Sequence, residues 1–245
     1  PADTVIAGNN SGTHVINVEF RNNITIKGFT ITGAGTDRAG IYLTGSRYCT
    51  IENNVFVDDA LGVFFKSSPY GVVRNNKFTK VSGIGTGRGI NVEGSINTTV
   101  ADNQISDQRY GIYLTSGSHS SIISGNTIKD SADDGIVIEQ TSGAVLERNT
   151  VSSTKDFGIY LNGANSNTVK NNIVSISNNG INLVESSRNT IFNNTADSAN
   201  HAIFMNTSHN NNLQSNTVSS SLYGIAMRYS NNNNITDNYA YNNNI

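Results

Sequence analysis

The sequence predicts an all-β fold: a single-domain, right-handed parallel β-helix of about ten coils of ~22 residues, with an internal asparagine ladder. Three observations carry that prediction. The 245 residues include 39 Asn and 23 Gly but only 2 Pro and no Trp. An apolar phrase of the form GIxL returns at steps of 22 to 27 residues. Within each period an Asn and two apolar residues stand at fixed offsets from that phrase.

Composition removes the competing classes. The chain is rich in Ile and Val and only 14% charged, the reverse of a disordered composition. Asn and Gly are poor helix formers, and no apolar run approaches the ~20 residues of a spanning helix, so no membrane insertion is expected. A net charge of −2 offers no footprint for nucleic acid. The lone Cys49 excludes an internal disulfide framework.

In chain order, residues 1–14 read as an incomplete N-terminal coil and 15–245 as the β-helix. Coils start near 15, 40, 62, 89, 111, 135, 158, 180, 202 and 224. Eleven residues after the Gly of the phrase comes an apolar residue, as at Ile51, Val73, Val100, Leu146 and Val169. The fifth full copy carries one extra residue and places Ile123 there. Three residues later stands Asn54, Asn76, Asn103, Asn126, Asn149, Asn172, Asn194, Asn216 or Asn238, while the first copy has Phe29. A second apolar residue follows two positions on, from Phe56 to Val218. Such runs are too short for helices and alternate as strands do. Stacked in register at ~4.8 Å per coil, they make a rod about 50 Å long. The Asn column is expected where the chain bends, because Asn tolerates a left-handed backbone. Its amides would bond one another.

The GIxL…TIxNNxV grammar resembles the parallel β-helix repeats of the pectin-lyase-like superfamily. More narrowly it is similar to the carbohydrate-binding and sugar-hydrolase (CASH) repeats, also seen in the NosD-like copper accessory family. Its Asn richness is similar to that of archaeal cell-surface β-helix proteins of the disaggregatase kind. The resemblance covers essentially residues 15–245. It implies a fold, and carbohydrate as the class of partner, more firmly than any one activity.

Alternation in the GIxL strand sends Tyr42, Phe64, Asn91, Tyr113, Val137, Tyr160, Asn182, Phe204 and Ala226 outward. Thr44, Lys66, Glu93, Thr115, Glu139 and Asn162 follow at the next outward position. Successive aromatic rungs suit stacking on sugar rings, and equally suit plain cross-strand packing. Of 34 charged residues, 24 lie in 37–156. Many stand just before the Gly: Asp37 and Arg38, Asp58 and Asp59, Arg88, Asp107 and Arg109, Asp133 and Asp134, Lys155 and Asp156. Two insertions, Gly33–Ala39 and Ser82–Arg88, fall at the same edge. Inserted loops on one solenoid face often mark its binding face.

These features define a candidate groove over coils 1–6. Asp133, Asp134, Glu93, Arg109 and Tyr113 are the candidate catalytic residues. Tyr42, Phe64, Lys66, Arg88, Glu139 and Tyr160 are the candidate substrate-binding residues. Arg and Lys hold carboxylates while acids or Tyr move protons, as a polysaccharide lyase, epimerase or hydrolase acting on an acidic cell-surface polymer requires. The alternatives are a non-catalytic cell-surface scaffold, whose charges keep the rod in solution, and a NosD-like copper accessory role. Asp133 and Asp134 also offer hard oxygen ligands for Ca2+; no other cofactor is expected. His14, His119, His201 and His209 share no column, and Met205 with Met227 reads as core. An extracellular or cell-surface place is expected. It fits the sequons at Asn9, Asn23, Asn97, Asn193, Asn206 and Asn234, and the sequence is expected to be a mature segment or excised fragment of a larger secreted protein. Further partners are adjoining domains of a larger chain or end-to-end contacts between open coils.

Overall fold

The computed structural model describes residues 4–9, 12–80 and 87–245, and among them every regular element is a β-strand. Each coil contributes one strand to each of three parallel sheets, which hold 10, 10 and 11 strands. Sheet 1 collects the GIxL strands: Ile16–Glu19, Ala39–Thr44, Leu61–Lys66, Arg88–Glu93, Tyr110–Thr115, Ile136–Glu139, Phe157–Asn162, Asn179–Val184, His201–Asn206 and Tyr223–Arg228. Sheet 2 runs from Thr25–Lys27 to Asn234–Thr236, and sheet 3 from Thr4–Ala7 to Tyr239–Tyr241.

Register is set by the repeat itself. Ile90 pairs with Val63 on one side and Ile112 on the other, so like residues stack coil upon coil. Ile51, Val73, Val100, Ile123 and Leu146 form the inward column of sheet 2, all fully buried. Phe56 and Phe78 stack at 4.5 Å in the inward column of sheet 3. Met205 is fully buried in the core, whereas its register partner Met227 is 48% exposed, because its strand is the last of sheet 1 and no further coil covers it. Each such side chain contributes roughly 1.5–3 kcal/mol of transfer free energy, which is what holds strands of three residues together.

The Asn column closes the corner between sheets 2 and 3. Asn126 Nδ2 donates to Asn149 Oδ1 (2.9 Å) and to the carbonyl of Val100 (3.0 Å), while its own Oδ1 accepts from Asn103 Nδ2 (3.0 Å). The pattern repeats from Asn54 to Asn238. Phe29, which breaks the column, gives its backbone N–H to Asn54 Oδ1. The expected backbone conformation is displaced by one residue. The left-handed residue is the one before the ladder Asn: Asn53, Asn75, Asp102, Gly125, Arg148, Asn171, Asn193, Ser215 and Asp237 all have φ between +52° and +65°. The bend is made there, leaving the ladder Asn free to point inward.

A second ladder, at the corner between sheets 1 and 2, runs through Asn167, Asn189, Asn211 and Asn233. A serine ladder that includes Ser46, Ser68 and Ser95 lies beside it. The extra residue of the fifth copy is taken up at this corner, where both Ser116 and Gly117 have positive φ. Gly111 is required at its position, since a Cβ there would stand 2.6 Å from the carbonyl oxygen of Gly135.

Candidate functional site

The outer face of sheet 1 is where chemistry gathers. Asn17, Tyr42, Phe64, Asn91 and Tyr113 are consecutive register partners on it, and the column continues through Val137, Tyr160, Asn182 and Phe204. Its depth is uneven in a way that alternation alone does not predict. Asn91, Val137 and Asn182 point outward yet are only 1%, 2% and 3% exposed. Each lies between two larger rungs. Three of those rungs carry ring pairs made with the residue three positions earlier in the same strand: Tyr110 with Tyr113 (5.2 Å between centroids), Phe157 with Tyr160 (4.6 Å) and His201 with Phe204 (4.7 Å), while Phe64 packs against Tyr42. Aromatic walls therefore alternate with short floors, giving clefts about 10 Å apart along the axis.

Charge concentrates on the first two of these clefts. The Arg88 guanidinium lies 3.9 Å from the Tyr113 ring centroid and donates to Asn91 Oδ1 at 3.0 Å. Arg109 pairs with Asp133 (Nε–Oδ2 3.0 Å) and sits over the Tyr110 ring. Asp133, Asp134 and Asp156 bring carboxylate oxygens within 4.8 Å of one another. The turns that present them are each one residue longer than in the neighbouring coils, between Asn126 and Gly135 and between Asn149 and Gly158.

Asp134 is the unusual member. It is 6% exposed, and burial pushes its carboxyl up to about 7, with Asp133 and Asp156 adding to the rise and the Phe157 N–H bond opposing it. A carboxyl in that range is partly protonated at neutral pH and can donate a proton. The Tyr113 hydroxyl donates to Glu139 Oε2 at 2.7 Å; burial and that carboxylate push the phenol up, so it acts as a donor and not as a base. The three carboxylates offer oxygen ligands of the kind a hard divalent cation takes, in competition with the Arg109 guanidinium that already pairs with one of them.

The sequence-selected residues divide between the two edges of the sheet. Arg88, Arg109, Asp133 and Asp134 share the edge before the Gly. Lys66, Glu93 and Glu139 occupy the opposite edge, where Lys66 and Glu93 form an exposed ion pair at 3.6 Å. The six-residue offset puts Glu93 about 20 Å from Asp133 along the strand direction, outside the acid cluster. Tyr113 bridges the edges through Arg88 and Glu139. Tyr42 and Phe64 form a separate N-terminal pair, with the His14 ring stacked on Tyr42 at 4.2 Å.

Asp59 does not join the exposed stripe. It is 3% exposed and turned into the corner, where Oδ1 accepts the Ala34 N–H at 2.8 Å and burial raises it to about 7. In the second insertion, Ser82–Thr86 lie outside the described residues. Sequence reasoning passed over Tyr110 and Phe157 and weighed His201 only as a metal ligand; that strand-opening position was read for charge, although it forms half of the Tyr110–Tyr113, Phe157–Tyr160 and His201–Phe204 pairs.

The family profile described as "Right handed beta helix region" matches residues 5–174. A second, described as "Periplasmic copper-binding protein (NosD)", matches residues 153–245. The chain matches none of the curated proteins. Among solved structures it is similar to the Dettilon tailspike protein, at 18% identity and a TM-score of 0.66, over 91% of this chain and 55% of that one. It is also similar to the periplasmic alginate epimerase AlgG, at 12% identity and 0.69, over 91% and 76%. A mutant tailspike protein of E. coli bacteriophage HK620, solved with a pentasaccharide, aligns at 13% identity and 0.72, over 91% and 49%. The chain spans about half the length of these tailspikes. At such identities the likeness establishes the fold.

Proposed function

The chain belongs to the right-handed β-helix family, and from that premise we propose that the outer face of sheet 1 holds an acidic polysaccharide along the helix axis and that the carboxyls of the sixth coil cleave it. The observation that carries the reading is the alternation of larger rungs and short floors, with Arg88 at the Asn91 floor and Arg109 and three carboxyls collected at the Val137 floor next along the axis. Rings stack on the C–H faces of sugars, and guanidinium groups recognise carboxylates. Two fold relatives point the same way, one solved with a pentasaccharide and one an alginate epimerase. The periplasmic descriptions of the NosD profile and of AlgG support a place outside the cytoplasm.

Hydrolysis suits the carboxyls better than elimination. Their oxygens lie within 4.8 Å, near the ~5–5.5 Å separation of retaining pairs and below the ~6.5–9.5 Å of inverting pairs. Asp134, protonated near neutral pH, donates to the glycosidic oxygen. Asp156 attacks the anomeric carbon, and the leaving sugar departs with the proton. Water then releases the glycosyl ester, its proton returning to Asp134. Arg109 and Tyr110 hold Asp133 in place beside them.

A non-catalytic surface scaffold is the second reading, favoured by the mutual neutralisation of Arg109 with Asp133 and Lys66 with Glu93. Copper delivery has less support. Among the described residues, Asp133, Asp134 and Asp156 form the one group of His, Cys, Asp or Glu whose ligand atoms converge, and carboxylates are not the soft ligands that Cu(I) favours.

The test is incubation with acidic and neutral polysaccharides, following new reducing ends and unsaturated-product absorbance. Reducing ends without unsaturation are expected, with turnover at least ~100-fold lower in Asp134→Asn. Binding without cleavage would establish the scaffold. Absence of binding to every acidic polymer would overturn both.

A further inference from the structure

The short floor of the groove occurs in two closely comparable forms. Asn91 and Asn182 occupy equivalent outward positions and are almost fully covered. Asn91 is satisfied from within its own coil by Arg88. The residue that replaces Arg88 in the later coil is Asn179, and its Oδ1 is already engaged by His201 Nδ1 at 2.9 Å. Asn179 brings no guanidinium to this floor, and Asn182 Oδ1 is shut away from water with no hydrogen-bond partner. The column does not need an amide there, since Val137 fills the equivalent site two coils earlier at 2% exposure. An amide that could be replaced by an aliphatic side chain, and that lacks a partner within the protein, is suited to a partner from outside.

The surroundings fit one kind of partner. Phe157 and Tyr160 wall the cleft on one side, His201 and Phe204 on the other. The His201 ring is supported from behind by Tyr223, stacked at 4.9 Å. Burial lowers the His201 pKa below its ordinary 6.5, so the ring is neutral at neutral pH. The wall and floor side chains Phe157, Tyr160, Asn182, His201 and Phe204 carry no formal charge, and the acids that act on Tyr160, among them Asp156, Glu139 and Glu185, lie outside them. A sugar hydroxyl both donates and accepts, so it satisfies the Asn182 amide in either orientation.

We propose that the cleft over Asn182 is a subsite for an uncharged pyranose, gripped between the two ring pairs and hydrogen-bonded to the Asn182 amide. The inference rests on the polysaccharide reading above and narrows it. The polymer presents an acidic residue to the coils around Asp133 and an uncharged one about 10 Å further along the axis, a spacing of two rungs. Entry takes rotation of the Phe204 or Tyr160 ring, because the amide is covered by its flanking rungs.

The experiment compares wild type with Asn182→Val by calorimetric titration. The probes are hyaluronan oligosaccharides, which alternate acidic and uncharged sugars, and oligogalacturonates, which are acidic throughout. Wild type is expected to bind the alternating chain about 10-fold more tightly, and Asn182→Val to erase that preference. The same substitution should raise the Tm by about 2–4 °C by removing an unsatisfied buried amide. Phe204→Leu should reproduce the loss of preference without the gain in Tm. A lowered Tm with the preference intact would assign Asn182 a structural role and overturn the inference, while binding that still responds to Arg109→Ala leaves the parent reading standing. If wild type binds neither probe, both fall.

Discussion

Asp59 and Asp134 are carboxyls that the coil corners enclose, one 3% and the other 6% exposed, and each is raised to about 7 chiefly by burial. Folding thus lifts both above the ordinary aspartate value, so between about pH 4 and pH 7 the folded protein holds protons that the unfolded chain has released. Stability from these groups is fully present below the unfolded value and is lost as pH rises through the folded one. Urea unfolding at pH 5 and pH 7.5 should show wild type roughly 5 kcal/mol more stable at the lower pH from these two groups. Asp59→Asn should remove about half of that difference, because Asn keeps an acceptor for the Ala34 N–H without the titration. The tendency of Asp59 to turn inward was not legible in the sequence. Its neighbour Asp58 and the acids of later coils suggested a common exposed stripe, and only the Ala34 N–H in the previous coil explains the difference.

The coil corner is the unit in which the fold could be read. The Asn ladder was legible because its offset from the Gly is nearly invariant. The left-handed position one residue earlier was not, because Asn, Asp, Gly, Arg and Ser all serve there. The Thr/Ser/Asn ladder at the corner between sheets 1 and 2 was also missed. It changes residue type along the rod, from Thr98 and Ser121 to Asn167 and Asn189. The ladder makes a graded prediction. Asn126→Ala removes donors to Val100, Ser124 and Asn149 and an acceptor for two groups of Asn103, all in a dry interior. It should cost roughly 3–5 kcal/mol by chemical denaturation. Asn238→Ala, in the half-exposed last rung, should cost about 1 kcal/mol because water replaces the lost partners.

At the scale of the whole molecule, the rod is a scaffold with one differentiated face. The outward column of sheet 1 follows from alternation, and the structure places each of its residues as the period-2 pattern requires. The clefts were not legible, because a residue that points outward becomes a floor only when rings on the coils before and after close over it. That relation joins residues 44 or more apart in sequence, such as Tyr113 and Tyr160 around Val137. The central claim is that polysaccharide lies across these clefts. Hydroxyl-radical footprinting with a bound acidic oligosaccharide tests it most directly. Protection of Tyr113, Tyr160 and Phe204 is predicted, with Tyr48, Tyr70 and Tyr239 at the corners and on sheet 3 unchanged. Protection confined to those other tyrosines, with the sheet 1 rings fully reactive, would contradict it.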